Sequence, residues 1–203
     1  MECSTFVRAL GIASLCVSGA LACGSSSSSG GGEGSGTGAV TGSFAGQSFA
    51  PVDATAVLTK ASGMAVASIY VSNVGSICGV LLQRSNPRSL ASLQLSIQGP
   101  GTEIATGTYT INGNGAMTLV ASAAYLAQDA QCNQTVAEIS INGTITVTAS
   151  NATSISGSFD ALFQPQLAGG NLGPQMDHVT GTFSAPVCNA SQGSAGTLAA
   201  CGS

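Results

Sequence analysis

Apolar and polar residues alternate along several stretches of this chain. Between residues 138 and 148 every second residue is apolar or glycine, which places the apolar and polar side chains on opposite faces of an extended strand. The predicted apolar face holds Ile139, Ile141, Gly143, Ile145 and Val147. Residues 93–98 and 155–163 alternate in the same way. Antiparallel sheets with one buried face and one solvated face have this pattern.

A short motif with a central glycine occurs four times. It consists of an apolar residue, a polar residue, glycine, a small polar residue and a second apolar residue, and it occupies residues 40–44, 141–145, 155–159 and 179–183. Glycine weakens a strand unless it makes a bulge or leaves room for a neighbouring group. The motif therefore predicts bent strands, or glycines packed under a neighbouring ring, in a sandwich or barrel. The unequal spacing of the copies excludes a solenoid or propeller repeat.

Turn residues divide the chain into about nine predicted strands. Clusters of Gly, Pro, Asn and Ser mark the turns, at residues 85–88, 99–101, 112–115, 150–151 and 164–175. Residues 117–128 also fit a short helix, but their alternation favours a strand. The predicted fold is all-β: an antiparallel β-sandwich, of which a jelly roll is one form.

The composition agrees with that fold. Only 6% of the residues are charged, so the strong helix formers Lys, Glu and Arg are scarce, whereas Ser, Thr, Gly, Ala, Val and Ile dominate. Residues 39–203 have the length of one domain with a substantial core. That stretch is the predicted β domain.

Residues 1–23 carry the features of an export leader. Arg8 precedes a small and apolar run at residues 9–22, which is shorter than the roughly 18 to 20 residues of a membrane-spanning helix. The sequence Ala-Leu-Ala-Cys-Gly follows at residues 20–24 and resembles the lipobox of bacterial lipoproteins, with Ala20 in place of the usual Leu. The resemblance implies that residues 1–22 are removed as a signal peptide and that Cys23 carries a lipid anchor. The alternative is an ordinary secretory leader cut before Cys23, which is then free or paired.

A Ser/Gly-rich linker extends from Cys23 to residue 38. Such a composition buries little apolar surface and predicts a disordered tether. The lipoprotein resemblance also implies which membrane holds the protein. In many enteric-type bacteria an Asp after the lipidated cysteine retains a lipoprotein at the inner membrane. This chain has Gly24 at that position, which favours the outer membrane. The predicted location is therefore the bacterial cell envelope, at the outer membrane.

Four of the seven cysteines lie in the predicted β domain: Cys78, Cys132, Cys188 and Cys201. An even number in an exported domain predicts two disulfides, for which three pairings exist. We favour Cys78 with Cys132 and Cys188 with Cys201, since the second bridge would pin a Gly- and Ala-rich tail. A zinc site is the competing interpretation, but the chain has no Cys-x-x-Cys and a single His. We predict no metal and no cofactor.

Candidates for catalysis are few. The chain contains no Gly-x-Ser-x-Gly, His-Glu-x-x-His or Walker motif. Asp177 and His178 would form part of a hydrolase triad only if they shared a face, and neighbours on a strand point to opposite faces. Asp160 with Asp53 or Asp129 would make a carboxylate pair of the glycosidase type. We predict no catalytic residue, and a secreted hydrolase is the weakest of the alternatives.

The net charge and the aromatic residues bear on the partners that the chain can bind. The net charge of −4 disfavours nucleic acid, because few basic side chains are present to neutralise phosphates. With no Trp in the chain, Tyr70, Tyr109 and Tyr125 are the candidates for a sugar-stacking platform, and core packing is their competing role. The predicted function is a non-catalytic envelope lipoprotein with a structural or interaction domain, attached to the membrane through Cys23, with an envelope protein or glycan as partner. A carbohydrate- or small-ligand-binding module is the alternative.

Overall fold

The computed structural model describes residues 35–61, 63–112, 120–167, 169–189 and 200–202. The predicted leader, Cys23 and most of the predicted linker lie outside these residues. Within them, the chain forms eleven strands and one short helix. The elements are β1 (Thr37–Thr41), β2 (Ser43–Phe44), β3 (Gln47–Ser48), β4 (Asp53–Ala61), β5 (Met64–Ser72), α1 (Ile77–Gln83), β6 (Ala91–Pro100), β7 (Gly107–Asn112), β8 (Val120–Gln128), β9 (Gln134–Ser150), β10 (Ser154–Pro165) and β11 (Asp177–Pro186).

Nine of the strands form one large sheet. Their order is β1-β11-β10-β9-β7-β8-β6-β5-β4, and β8 also pairs with β9. Neighbours within this order are antiparallel except β7 and β8, which share one parallel pairing at Ile111 and Ala121. The prediction of an all-β fold is confirmed, and residues 120–128 form the strand that their alternation predicted.

The two edges of this sheet approach each other, so that the sheet is curled nearly into a barrel. Val187, just after β11, forms a bridge with Ala56 of β4. The Cys188 N–H donates to the Ala56 carbonyl at 2.7 Å. One curled sheet therefore surrounds the core, whereas a sandwich has two stacked sheets. The glycine motif predicted either a sandwich or a barrel, and the curled sheet is closer to a barrel.

Inward-facing side chains fill the space inside the curled sheet. Burial alternates along β5, β6 and β10, which confirms the faces predicted for residues 93–98 and 155–163. The fully buried side chains of β5 and β6 include Ala67, Ile69, Val71, Leu93, Leu95 and Ile97. Alternate residues of these strands point outward, where they form the surface that α1 packs beside.

A β-bulge at Ile141 changes which residues of β9 face the core. Before the bulge Ser140 pairs with Phe163 of β10, and after it Gly143 pairs with Ala161. Residues directly opposite each other share a face, so even-numbered residues point inward before Ile141 and odd-numbered residues point inward after it. The prediction that the odd-numbered residues from 139 to 147 all share one face is wrong for this reason.

Two of the four motif glycines lie under aromatic rings. Gly157 of β10 is opposite Phe183 of β11, and Phe159 of β10 is opposite Gly181. A Cβ on Gly157 would come within 2.8 Å of the Phe183 ring, and a Cβ on Gly181 would come within 2.5 Å of the Phe159 ring. The prediction of glycines packed under a neighbouring ring is confirmed for this pair of strands.

The β2–β3 hairpin folds over one end of the curled sheet. Phe44 of β2 is fully buried, and its ring stacks on Tyr125 of β8 with 3.8 Å between centroids. Phe163 of β10 meets the Phe44 ring edge-on at 5.1 Å. Phe49 packs edge-on against Tyr125 at 5.3 Å. These four rings, the aromatic cluster, attach the hairpin to the sheet through one stacked contact and several edge-on contacts, the second of which aromatic pairs favour.

Candidate functional site

Helix α1 lies beside the outer faces of β5, β6 and β8. It starts after Ser76, whose side chain makes no capping hydrogen bond, and ends at Arg84, which has a left-handed conformation and donates its N–H to the Val80 carbonyl. Strands alone were predicted for the β domain, so this helix is a correction. Residues 77–82 contain no polar side chain and so do not alternate as a half-buried strand does; this feature of the sequence could have indicated the helix.

Asp53 fixes the start of the sheet to the start of this helix. Its Oδ1 accepts hydrogen bonds from the Ser35 hydroxyl at 3.1 Å, the Gly36 N–H at 3.0 Å and the Ala54 N–H at 2.8 Å. Its Oδ2 accepts from the Ile77 N–H at 3.0 Å. Asp53 is buried, and these donors satisfy its carboxylate. Strand β1 consequently begins ahead of residue 39, the predicted start of the domain.

Both disulfides lie near α1 and the loop that follows it. Cys78 of α1 is bonded to Cys188 after β11, and Cys132 of the β8–β9 turn is bonded to Cys201. The prediction that these four cysteines form two disulfides is confirmed. The favoured pairing of Cys78 with Cys132 and Cys188 with Cys201 is wrong, because the curl of the sheet brings the end of β11 against β4, beside α1.

The loop after α1 is held from two sides. Gln128 of β8 donates its amide N–H to Asn86 Oδ1 at 2.9 Å and to the Pro87 carbonyl at 2.7 Å. On the other side, Asn86 forms a bridge with Cys201, and the Gly202 N–H donates to the Asn86 carbonyl at 2.8 Å. The Cys132–Cys201 disulfide therefore ties this loop to the β8–β9 turn.

A groove of about 560 Å³ lies between α1, this loop and the outer faces of β5, β6 and β8. Leu81 of α1 and Leu126 of β8 contribute apolar surface, and Leu126 is 38% exposed. Tyr70 and Gln94 contribute polar atoms. Among the described residues that line it, Arg84 is the one charged side chain. We call it the α1 groove; its volume lies within the roughly 300 to 1,000 Å³ usual for ligand sites.

The three candidate tyrosines do not form a common platform. Tyr70 lines the α1 groove, and burial raises the pKa of its hydroxyl. Tyr109 and Tyr125 are buried in the core. The Tyr109 hydroxyl donates to the Ala105 carbonyl at 2.8 Å. Core packing, the competing role, is therefore the one observed for two of the three.

Asp160 and His178 meet on the outer face of the sheet. His178 Nε2 lies 2.8 Å from Asp160 Oδ1, and the two side chains are 60% and 64% exposed. Exposed ion pairs contribute little to the free energy of unfolding. The exposure of both side chains also shows that this pair is not enclosed in a cleft. Asp177 points to the opposite face, where its Oδ2 accepts the Ala45 N–H at 2.8 Å. The expectation that Asp177 and His178 point apart is confirmed.

The carboxylates proposed as a glycosidase pair are not brought together. Asp53 is buried beside α1, whereas Asp160 lies on the outer face of β10. Asp129 lies in the β8–β9 turn, where its Oδ1 accepts the N–H groups of Gln131 and Asn133 at 2.8 and 2.9 Å. The hydrogen bonds from Asn133 lower the pKa of Asp129. Pairing of Asp160 with Asp53 or Asp129 is therefore wrong.

Glu138 is one of the few titratable residues of the chain, and its sequence context assigned it to no candidate site. It lies on the inward face of β9, opposite Tyr125, and is 1% exposed. Burial and the neighbouring Asp177 charge raise the pKa of Glu138 to about 7. In the sequence, Glu138 shares the polar face of the alternating stretch that follows it, which predicts an exposed side chain. The bulge at Ile141 reverses the faces of β9 and places Glu138 in the core.

A smaller cavity of about 230 Å³ lies between the end of β4, the β6–β7 loop and the β9–β10 turn. Lys60 and Glu103 bring opposite charges to it, and Ile104 and Val187 contribute apolar surface. Its volume is below the roughly 300 Å³ at which ligand sites usually begin, so the α1 groove is the better candidate.

No family model, curated protein or solved structure matches this chain. In the part of the chain that the structure describes, no helix is long and apolar enough to cross a bilayer. Across the same ranges, no three His, Cys, Asp or Glu side chains are grouped as metal ligands.

Proposed function

We propose that this chain is the precursor of a bacterial envelope lipoprotein, anchored through Cys23, whose β domain is a non-catalytic interaction module. The leader and its lipobox-like end support the anchor. The two disulfides are compatible with a location outside the cytoplasm, where disulfides form and persist. We further propose that the α1 groove is the surface with which the module binds a protein of the envelope.

The observation that carries this proposal is that both disulfides hold the helical side of the groove. Cys78–Cys188 bonds α1 to the end of β11, and Cys132–Cys201 bonds the loop after α1 to the β8–β9 turn. A short helix and a loop on the outside of a sheet have little core of their own to keep them in place. Covalent fixation pre-organises them, which lowers the entropy lost when a partner binds.

Apart from Arg84, the described residues that line the groove are uncharged, which favours a neutral partner. Leu81 and the exposed Leu126 offer apolar contact, and Gln94 and Tyr70 offer hydrogen bonds. An apolar centre with a polar rim is usual for protein interfaces. The amide and the tyrosine also favour a second candidate function, the binding of a neutral carbohydrate, whose hydroxyl groups pair with such side chains.

Membrane attachment tests the first part of the proposal. Cys23→Ala is expected to move the full-length protein from the membrane fraction to the soluble fraction, because the lipid is the proposed anchor. Cys16→Ala, a change within the leader, is the matched control and should leave the protein with the membranes. Fractionation after a high-salt wash measures both. A Cys23→Ala protein that stays with the membranes contradicts the lipoprotein proposal.

The groove is tested with a charged substitution on its floor. A photo-crosslinking residue at position 94 in the lipidated protein is expected to give a discrete protein adduct in its own envelope, and Leu126→Arg should reduce that adduct at least about tenfold because a buried charge in the interface costs more than 1.4 kcal/mol. Leu172→Arg is the matched control, since Leu172 is 42% exposed and lies outside the groove.

Two outcomes decide between the candidates. An adduct that survives Leu126→Arg shows that the groove is not the interaction surface. Binding of the protein to neutral polysaccharide fractions of the envelope, lost in Leu126→Arg and kept in Leu172→Arg, with no protein adduct, supports the carbohydrate function instead.

A further inference from the structure

Glu138 has a buried carboxyl group, and the nearby Ala45 N–H is directed to Asp177. The side chain is 1% exposed, and neither Oε1 nor Oε2 has a hydrogen-bond partner. An ionised carboxylate removed from water without donors is strongly disfavoured, so a group in this position keeps a proton or acquires one from its surroundings. The protonation of Glu138 is therefore linked to the way this end of the sheet is closed.

The groups that face Glu138 come from each element packed around it. β11 brings the Asp177 carboxylate, and β8 brings Tyr125, which is directly opposite Glu138 in the pairing with β9. The turn of the β2–β3 hairpin brings the Ala45 N–H, and β10 brings Pro165, which has no titratable group. Asp177 accepts the Ala45 N–H and also the Gln175 amide, at 3.2 and 3.4 Å, so the donors at this site bind Asp177.

The basic side chains of the described residues all lie elsewhere. They are Lys60 at the smaller cavity, Arg84 at the α1 groove, Arg88 beside Gly202 and His178 on the outer face with Asp160. None of these positions neutralises the pair formed by Glu138 and Asp177. With no basic side chain beside them, a proton on Glu138 is what removes the repulsion between the two carboxyl groups.

We propose that Glu138 keeps a proton beside the Asp177 carboxylate, and that this proton holds the β2–β3 hairpin closed over the aromatic cluster. Asp177 is the contact between the pair and the hairpin, because its Oδ2 accepts the Ala45 N–H at 2.8 Å. Phe44, the residue before Ala45, stacks on Tyr125, which also faces Glu138. The hairpin therefore rests on the same groups that the proton keeps together.

Loss of the proton favours opening of the hairpin. The Glu138 charge then lies buried beside the half-buried Asp177 carboxylate, and lifting the hairpin lets water reach Glu138. Burial and Asp177 raise the pKa of Glu138 to about 7, from 4.5 for an exposed glutamate. Since the closed state binds the proton more tightly, its stabilisation is complete below pH 4.5, is lost as the pH rises to about 7, and changes little above that.

The pH dependence of hairpin opening tests this proposal in the full mature chain. Exchange protection of the Ala45 amide, corrected for the intrinsic effect of pH on exchange, is expected to fall up to about 100-fold between pH 5 and pH 8. Glu138→Gln removes the titrating group, so its protection should be independent of pH and higher than that of the unsubstituted protein at pH 8. Glu103→Gln, a change of an exposed glutamate, is the matched control and should keep the original profile.

A second measurement serves if Glu138→Gln does not fold. The carboxyl carbon of Glu138 in the unsubstituted protein is expected to titrate near pH 7 by NMR, and Asp177→Asn should lower that midpoint because it removes the neighbouring charge. Protection of Ala45 that does not change between pH 5 and pH 8, or a Glu138 midpoint near 4.5, overturns the proposal.

Discussion

Replacement of Cys78 and Cys188 together by alanine is expected to lower the free energy of unfolding by about 4 to 5 kcal/mol in the chain-entropy description of disulfides. The bridge closes a loop with a sequence separation of 110 residues, so its removal releases a large conformational freedom in the unfolded chain. It also releases α1 from the end of β11. Denaturant unfolding followed by circular dichroism measures the change.

The second disulfide supplies the comparison. Cys132 and Cys201 are 69 residues apart, and the logarithmic dependence on loop length makes their bridge only about 0.4 kcal/mol weaker on entropic grounds. A larger difference between the two double variants would come from the packing of α1 in the folded state. An unfolding midpoint unchanged by Cys78→Ala with Cys188→Ala would show that this bridge has no structural role.

Asp53→Ala is expected to destabilise the domain by about 4 kcal/mol, because it leaves several buried donors without an acceptor. The buried donors are the N–H groups of Gly36, Ala54 and Ile77, and the exposed Ser35 hydroxyl loses its acceptor as well. They belong to the chain before β1, to β4 and to α1. The substitution therefore weakens the attachment of the first strand and that of the helix at the same time. Thermal unfolding and urea titration measure the loss.

Asp53→Asn separates the two attachments. The amide oxygen of Asn can replace Oδ1, which accepts from three donors. The amide NH₂ group takes the place of Oδ2 and cannot accept the Ile77 N–H, because both groups are donors. We expect a smaller loss of stability than in Asp53→Ala, with reduced exchange protection at Ile77 and retained protection at Gly36. Equal protection loss at both amides would argue against the two-sided role of this carboxylate.

The strands of this fold could be predicted because their signal is local. Alternation over a few residues identifies the faces of β6 and β10 without knowledge of any neighbour. The packing of Gly157 and Gly181 under rings could also be anticipated, since the Gly-x-Phe repetition places a ring and a gap at matching positions of paired strands.

Other features depend on contacts between distant parts of the chain. The bulge at Ile141 follows from how β9 pairs with β10, and it turned Glu138 inward against the expected pattern. Helix α1 is short, is uncapped by Ser76 and is held by Asp53 from another element. Its contribution to the α1 groove was not predictable from residues 77–83 alone.

The order of the bonded cysteines determines how the chain tolerates a break in its backbone. The Cys78–Cys188 and Cys132–Cys201 links cross each other along the sequence, so a single proteolytic cut anywhere between Cys78 and Cys201 leaves the two fragments covalently joined. A cut within residues 133–187 leaves them joined twice. Bridges between neighbouring cysteines would have let the same cut divide the domain into separate pieces. A nicked copy of this protein therefore keeps the helix and the strands of its groove in one covalent unit.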